Sequence, residues 1–73
     1  MTKSTDLSPL ARNVRRLRER RGLSQDRLSK LADVSHNTII KIEAGAIQSP
    51  TVETAQKIAK ALGVTLDELT HTS

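Results

Sequence analysis

Apolar residues recur along this chain at the three- and four-residue spacing that is typical of amphipathic helices. The clearest example lies between the start signal Ser49-Pro50-Thr51 and the stop signal Gly63. Its apolar face consists of Ala55, Ile58, Ala59 and Leu62. The sequence contains no run of alternating β-branched residues and no Asn-Gly or Asp-Gly hairpin turn. The pattern therefore predicts helices joined by short turns.

Two helices are predicted in the first half of the chain. The first begins at Ser8-Pro9, a capping residue followed by proline at the first helical position, and ends at Gly22. Its buried face consists of Leu10, Val14 and Leu17. The second helix is about two turns long and begins at the N-cap Ser24, with Asp26 near its positive end. Its predicted buried face consists of Leu28, Leu31 and Ala32.

A third helix is predicted to begin at the N-cap Ser35 and to end where Gly45 adopts a left-handed conformation. Ile39 and Ile42 face inward at a spacing of three residues. The residues left facing outward are His36, Asn37, Ile40 and Lys41. A fifth, very short helix follows the one that ends at Gly63. It has a capping box of Thr65 and Glu68 and an apolar face of Leu66 and Leu69.

Five helices in 73 residues predict an all-α fold, a compact five-helix bundle that forms one domain over residues 1–73. Its ordered core is expected over about residues 8–69, with mobile ends. No apolar run approaches the roughly 20 residues of a membrane span, and the polar start lacks the apolar stretch of a signal peptide. We therefore expect a cytoplasmic, nucleoid-associated protein without a membrane partner.

Catalysis and metal binding are disfavoured by the same composition. The chain has no cysteine, and its two histidines, His36 and His71, lie on separate elements without a paired base or ligand. The glycines form no phosphate-binding loop. A domain of this size has no room for a deep catalytic cleft or an implied effector pocket. We expect no enzymatic activity, no metal, no cofactor and no small-molecule effector.

Positive charge is concentrated in the first part of the chain. Residues 1–45 contain ten basic and five acidic residues, whereas residues 46–73 contain two basic and three acidic residues. One part of the surface is therefore electropositive, which favours a nucleic-acid partner without proving one. The chain also lacks Phe, Tyr and Trp, on which modules for single strands generally stack bases. Double-stranded DNA is the favoured partner.

The spacing between the second and third predicted helices is the feature that indicates function. About four residues, Asp33 to His36, separate one short helix from the next, so the two helices must cross steeply. In a helix-turn-helix this arrangement holds the second helix where its outward residues enter a groove about 12 Å wide. The polar residues at the start of the third helix are therefore candidate DNA contacts.

In this arrangement the chain resembles the Xre-type family, which includes the lambdoid phage Cro and CI repressors and the controller proteins of restriction-modification systems. The matching residues are Leu17-Arg18, Gly22-Leu23-Ser24-Gln25, Leu28, Leu31-Ala32, Val34-Ser35, Thr38-Ile39, Ile42-Glu43, Gly45, Pro50 and Ile58-Ala59-Lys60-Ala61-Leu62-Gly63-Val64. Two positions depart from the family pattern: Asp33 stands where glycine is usual, and Ser29 where alanine is common. Asp tolerates a left-handed backbone at a cost of roughly 1 kcal/mol, and Ser29 is small enough for close packing.

The resemblance implies base-facing positions at His36, Asn37 and Lys41. Asn pairs with adenine edges, and Lys and His with guanine acceptors. Ile40 is either an ordinary exposed isoleucine or a contact to a thymine methyl. Thr38 either bonds a phosphate or its own helix backbone.

The resemblance also implies that Gln25 approaches a phosphate and buttresses His36. The alternative is that Gln25 is an ordinary solvent-exposed residue of the second helix. Ser24 is a cap first and a phosphate contact second. Arg18 and Glu43 match a pair that joins the first helix to the third, so Arg18 is expected to be structural. Only two or three of the other arginines are expected to reach phosphate, because they occupy successive helical angles. The remaining phosphate candidates are Arg12 and Asn13.

These features predict a transcriptional regulator, a repressor or a restriction-modification-type controller, that binds a palindromic operator as a homodimer. The residues left for the dimer interface are Val64, Leu66 and Leu69. The alternative is an antitoxin-like interaction subunit that holds a partner protein and binds DNA secondarily.

Overall fold

The computed structural model describes residues 9–71. The helices of this part of the chain are α1 (Pro9–Arg20), α2 (Gln25–Ala32), α3 (His36–Glu43), α4 (Val52–Leu62) and α5 (Leu66–Thr70). Residues 9–71 contain no strand, and the predicted all-α fold is confirmed. The predicted cap Ser8 and most of the predicted mobile ends lie outside the described residues. Thr70, which was expected to be mobile, is the last residue of α5.

Local hydrogen bonds fix where the helices begin. At the start of each of α2 to α5, a hydroxyl oxygen accepts the backbone N–H of the residue three positions later. These N-caps are Ser24, Ser35, Thr51 and Thr65, with N···O distances of 3.0 to 3.1 Å. Each such cap contributes about 1 kcal/mol. The capping box of Thr65 and Glu68 is complete, because Glu68 Oε1 also accepts the backbone N–H of Thr65. The residues that mark the helix starts in the sequence are therefore the residues that make the capping hydrogen bonds.

The turn between α2 and α3 is formed by residues 33–35. Asp33 has φ 58° and ψ 46°, and among residues 9–71 no other non-glycine residue has a positive φ. Its backbone N–H donates to the carbonyls of Lys30 and Ser29, so Asp33 alone forms the C-cap that ends α2. Ser35 then caps α3 at once. Asp33 thus adopts the left-handed conformation that glycine would adopt more easily, and the short turn holds α2 and α3 at a fixed crossing.

Leu31 does not belong to the core, and the prediction that it does is wrong. Its side chain is 59% exposed, whereas Leu28 and Ala32 are buried together with Ser29. Successive helical residues are separated by 100°, so a face centred between Leu28, Ser29 and Ala32 leaves Leu31 at its edge. Ser29 Oγ donates to the carbonyl of Asp26 at 2.6 Å, which satisfies this small buried hydroxyl. Ser29, not Leu31, lets α2 pack closely.

The core lies between α1, α2, α3 and α4 and is closed by α5. Its largest fully buried side chains are Val14, Leu28, Ile39, Ile42, Ile58, Leu62 and Leu69. Burial of one such side chain contributes about 1.5–3 kcal/mol. The packing of α3 against α1 and α2 keeps the third helix in place, and its inward residues are the predicted Ile39 and Ile42. None of the helices in residues 9–71 is long and apolar enough to cross a membrane.

Two glycines with similar backbone angles offer a test of packing at the end of α4. Gly22 has φ +67° with no atom within 4 Å of an added Cβ, whereas at Gly63, φ +73°, that Cβ would lie 2.8 Å from Arg21 Nη2. We expect Gly22→Ala to cost about 1 kcal/mol of unfolding free energy through backbone strain. Gly63→Ala should cost about 0.3–1 kcal/mol more, because the Arg21 guanidinium must leave the negative end of α4.

Urea denaturation of both variants measures the two costs. The additional cost of Gly63→Ala should disappear in an Arg21→Ala background, where no guanidinium is displaced. Equal costs for the two glycines in both backgrounds would contradict a role for Arg21 at the end of α4.

Candidate nucleic-acid interface

The exposed face of α3 is the centre of the candidate site. Ile39, Ile42 and Glu43 are buried, and the side chains on the opposite face are exposed. These exposed residues are His36, Asn37, Ile40 and Lys41. Positions i, i+1, i+4 and i+5 of a helix lie within an arc of about 140°. The face therefore presents an imidazole, an amide, an apolar side chain and an ammonium group together.

His36 lies against Asp26, not against Gln25 as expected. His36 Nδ1 is 3.8 Å from Asp26 Oδ1, and both side chains are about half exposed. Asp26 also pairs with Lys30 one turn later, at 3.2 Å. The contact between His36 and Asp26 places the first turn of α2 beside the first turn of α3, with Asp26 on the side that faces His36. The group that can orient the imidazole is consequently a carboxylate.

Gln25 instead belongs to a network around Glu43. Its Nε2 donates to Glu43 Oε1 at 3.1 Å. Arg18 donates to the same carboxylate twice, from Nε to Oε2 at 2.7 Å and from Nη2 to Oε1 at 3.0 Å, and its Nη1 donates to the carbonyl of Leu23 at 2.7 Å. Glu43 is only 6% exposed. The network therefore joins α1, the start of α2 and the end of α3.

The charge of Arg18 is neutralised by the buried carboxylate of Glu43. Hydrogen bonding to Glu43 raises the pKa of Arg18 above its ordinary value, although burial of the guanidinium acts in the opposite direction. A bidentate pair of this geometry is stronger than an exposed ion pair, because both hydrogen bonds are charge-assisted. Arg18 is thus placed as a structural residue, and its charge is matched by that of Glu43.

The hydroxyls at the helix starts form local hydrogen bonds. Thr38 Oγ1 lies 2.8 Å from Ser35 Oγ, which itself accepts the backbone N–H of Thr38. The Oγ1 bond joins Thr38 to a neighbouring hydroxyl, and neither to a phosphate nor to the helix backbone, so both predicted roles of Thr38 stay predictions. Ser24 caps α2 and is exposed. The first turns of α2 and α3 therefore expose capped N-terminal ends, which carry partial positive charge.

Asn13 is a structural residue, and the prediction that it contacts phosphate is wrong. It is 4% exposed, and its Nδ2 donates to the carbonyls of Leu69 at 2.8 Å and His71 at 2.9 Å. Its Oδ1 accepts from Arg16 Nη2 at 3.1 Å. Asn13 lies three residues after Leu10 and four before Leu17, so it shares their side of α1, and this spacing could have indicated burial from the sequence. Arg12, one residue earlier, is exposed as expected.

Leu69 is fully buried in the core, so the prediction that it forms part of a dimer interface is wrong. Val64 and Leu66 are half-buried. The largest exposed apolar side chain near them was missed: Val52, at the first position of α4, is 63% exposed. No periodicity could have identified it, since a valine that starts a helix looks like a core residue.

Val52 and Leu66 line an open groove of about 420 Å³ on a surface distinct from the exposed face of α3. Its apolar walls are Pro9, Leu10, Pro50, Val52, Ala55 and Leu66, and its polar ones are Gln48, Ser49 and Thr70. None of these lining residues is charged. This groove, called the apolar groove below, is unusual in a chain of which 27% is charged.

The short turn between the packed helices α2 and α3, together with the exposed face of α3, defines a helix-turn-helix protein. Residues 14–69 match the helix-turn-helix family HTH_3, and the chain belongs to this family. The resemblance that the sequence alone indicated is thereby confirmed.

Curated relatives are transcriptional regulators. Over 60 residues the chain is 40% identical to the cryptic phage CTXphi transcriptional repressor RstR of Vibrio cholerae, a match that covers 82% of this chain and 53% of RstR. Over 52 residues it is 38% identical to the HTH-type transcriptional regulator PuuR of Escherichia coli (strain K12), covering 71% of this chain and 28% of PuuR. The chain thus spans between about a quarter and a half of the length of these relatives.

Among solved structures, the restriction-modification controller protein C.AhdI of Aeromonas hydrophila has the same fold. Its TM-score is 0.80 at 30% identity, and the match covers 88% of this chain and 96% of that chain. Similarity to a controller protein therefore extends over nearly the whole of both chains.

Proposed function

We propose that the protein is a transcriptional regulator that binds double-stranded DNA in a sequence-specific manner and acts in the cytoplasm. In this proposal it acts as a repressor or as a restriction-modification controller. The observation that carries this proposal is the exposed face of α3, where four side chains with base-contacting chemistry share one arc after the short α2–α3 turn. The similarity to RstR and C.AhdI supports it.

In this proposal the exposed face of α3 lies in the major groove and contacts base edges. Asn37 pairs with an adenine through its amide, Lys41 donates to guanine acceptors, and Ile40 contacts a thymine methyl. His36 donates one ring N–H to a guanine acceptor, and Asp26 lies beside the ring, 3.8 Å from Nδ1. Because His36 and Asn37 lie in the first turn of α3 and Lys41 lies one turn later, the helix reaches several successive base pairs.

Phosphate contacts position the protein in the groove. Ser24 and Gln25 at the start of α2, Thr38 near the start of α3 and the exposed Arg12 are the proposed contacts. Backbone N–H groups at the first turn of a helix lack helical partners, and they suit an anion. Gln25 Nε2 donates one hydrogen to Glu43 and retains a second for phosphate.

Selection of bound sequences from a random duplex pool tests the proposal. A specific protein should enrich one motif. Asn37→Ala and Lys41→Ala should then each lose about 1–3 kcal/mol of discrimination at single base pairs of that motif, with the fold intact. Lys60→Ala is the matched control, because Lys60 is an exposed lysine on α4 and should change neither affinity nor motif. A pool that shows no enrichment would contradict sequence-specific binding, and equal losses on all sequences would assign Asn37 and Lys41 to phosphate.

We also propose that the protein binds a palindromic operator as a homodimer, with the apolar groove as the contact between copies. In a two-fold contact both copies use the same surface patch, so a charge close to the axis would meet the same charge of the other copy. The lining residues of the apolar groove are uncharged and mostly apolar, which suits this requirement. The domain measures 36 × 24 × 22 Å, so the centres of two touching copies lie between about 22 and 36 Å apart. Successive half-sites of an operator are roughly 34 Å apart, which falls within this range.

A further inference from the structure

A second polar surface lies beside the exposed face of α3. It is a shallow depression of about 400 Å³ between α1, the start of α2 and the end of α3, lined by Arg15, Arg18, Gln25, Ile40, Glu43 and Ala44. Because Ile40 belongs both to this depression and to the exposed face of α3, a duplex held against that face passes over the depression. The charged side chains that line the depression therefore determine how it interacts with the DNA backbone.

Two of the three charged groups in the depression neutralise each other. The carboxylate of Glu43 accepts both guanidinium hydrogen bonds from Arg18 and one from Gln25. Arg15 supplies the remaining charge. Its side chain is 60% exposed, and its Nε lies 3.4 Å from Glu19 Oε2, one turn further along α1. Exposed ion pairs of this spacing are weak, so a stronger anion can displace Glu19.

We propose that Arg15 binds a backbone phosphate of the DNA at this depression, together with the second N–H of Gln25. The inference rests on the proposed DNA binding and adds a phosphate contact on α1. A guanidinium can donate two parallel hydrogen bonds to the non-bridging oxygens of a phosphodiester, whereas its bond to Glu19 uses Nε alone. Glu19 is then an internal competitor, which holds Arg15 when DNA is absent and limits the affinity when DNA is present.

The salt dependence of binding measures this contact. Arg15→Ala should reduce the slope of log K against log salt by about 0.9 and should weaken binding roughly tenfold at about 0.1 M salt. The loss should be the same for the operator and for an unrelated duplex, since phosphates carry no sequence information. Arg15→Lys should keep the slope, because it keeps the charge. Arg15 is exposed, so the melting temperature of each variant should stay near that of the parent protein.

Arg16→Ala is the matched control for the loss of charge. Arg16 is the next residue of α1, but its Nη2 donates to Asn13 and its side chain lines a different depression, between α1 and α5. The salt slope of this variant should stay unchanged. Equal reductions of the slope in Arg15→Ala and Arg16→Ala would overturn the inference, because they would show a diffuse effect of net charge.

Removing the competitor should have the opposite effect. Glu19→Gln should strengthen binding about two- to fivefold, whereas Glu53→Gln, which removes an equal charge from the exposed pair with Lys57 on α4, should not. The gain from Glu19→Gln should vanish in an Arg15→Ala background. A gain that persists there would overturn the competition. Failure of the parent protein to bind any duplex would instead refute the proposed function, so the two failures are distinguishable.

Discussion

Replacing Arg18 with alanine should lower the free energy of unfolding by about 3–5 kcal/mol, because it leaves a buried carboxylate without its counter-charge. Glu43 is 6% exposed, and after the replacement Gln25 would supply its one remaining side-chain hydrogen bond from the described network. A domain of this size has only a few kcal/mol of net stability. We therefore expect Arg18→Ala to be largely unfolded at room temperature.

Thermal and urea denaturation, followed by circular dichroism, measure this effect. Arg12→Ala is the matched control, since Arg12 is an exposed arginine of the same helix and should change stability by less than about 0.5 kcal/mol. The double variant Arg18→Met with Glu43→Met should recover most of the loss, because no unpaired charge is then buried. An Arg18→Ala variant with unchanged melting and a smaller salt slope would assign Arg18 to the DNA surface instead.

The contribution that depends on the charge of Arg18 should not change with pH near neutrality. Hydrogen bonding to Glu43 raises the pKa of Arg18 in the folded state. A raised pKa means that this contribution is fully present below the pKa of the unfolded guanidinium and is lost only as the pH rises through the higher folded value. Titration of Arg18 should therefore cause no loss of stability near neutral pH.

Replacing Val52 with glutamate should convert a dimer into monomers. In the proposed two-fold contact this change places two like charges in an apolar groove, and like charges that meet across an interface cost several kcal/mol. The dissociation constant of the dimer should rise at least about 100-fold, which corresponds to about 3 kcal/mol. Val52 is 63% exposed at the first position of α4, where a carboxylate favours the helix, so the fold should persist. Light scattering over a concentration series, without DNA, measures the change.

Leu31→Glu is the matched control, because Leu31 is 59% exposed but lies on α2, away from the apolar groove. It should leave the dimer intact. A mixture of Val52→Glu and Val52→Lys proteins should form a dimer that neither forms alone, since opposite charges then meet. A parent protein that is monomeric at every concentration would contradict the proposed dimer, whether or not it binds DNA.

The bounds of the helices could be predicted from the sequence because the signals that set them are local. Each N-cap hydroxyl bonds to the backbone of a residue only three positions later, so the cap can be recognised from a few neighbouring residues. These caps are Ser24, Ser35, Thr51 and Thr65. The left-handed turn at Asp33 is local in the same sense. The composition of the exposed face of α3 followed directly, since two inward isoleucines fix the orientation of a helix.

The errors arose where a residue's surroundings depend on how one helix is rotated against another. Leu31 lies outside the core because the buried face of α2 is centred on Leu28, Ser29 and Ala32, which its apolar residues alone do not indicate. Asn13 and Leu69 became buried together because α5 packs on α1, more than 50 residues away in sequence. The partner of His36 is Asp26 rather than Gln25, because the crossing of α2 and α3 selects between neighbouring residues. No periodicity contains this information.

The hydrogen bonds of Asn13 hold the end of the last helix against the first, and Pro9 and Thr70 border the same groove. A polypeptide that is attached at either end would therefore leave the domain from neighbouring points, and neither point lies on α3. This geometry lets a longer protein carry the domain as a self-contained insert. In the proposed dimer, Pro9 and Thr70 of both copies would lie beside the contact, so domains attached there would be held close to one another.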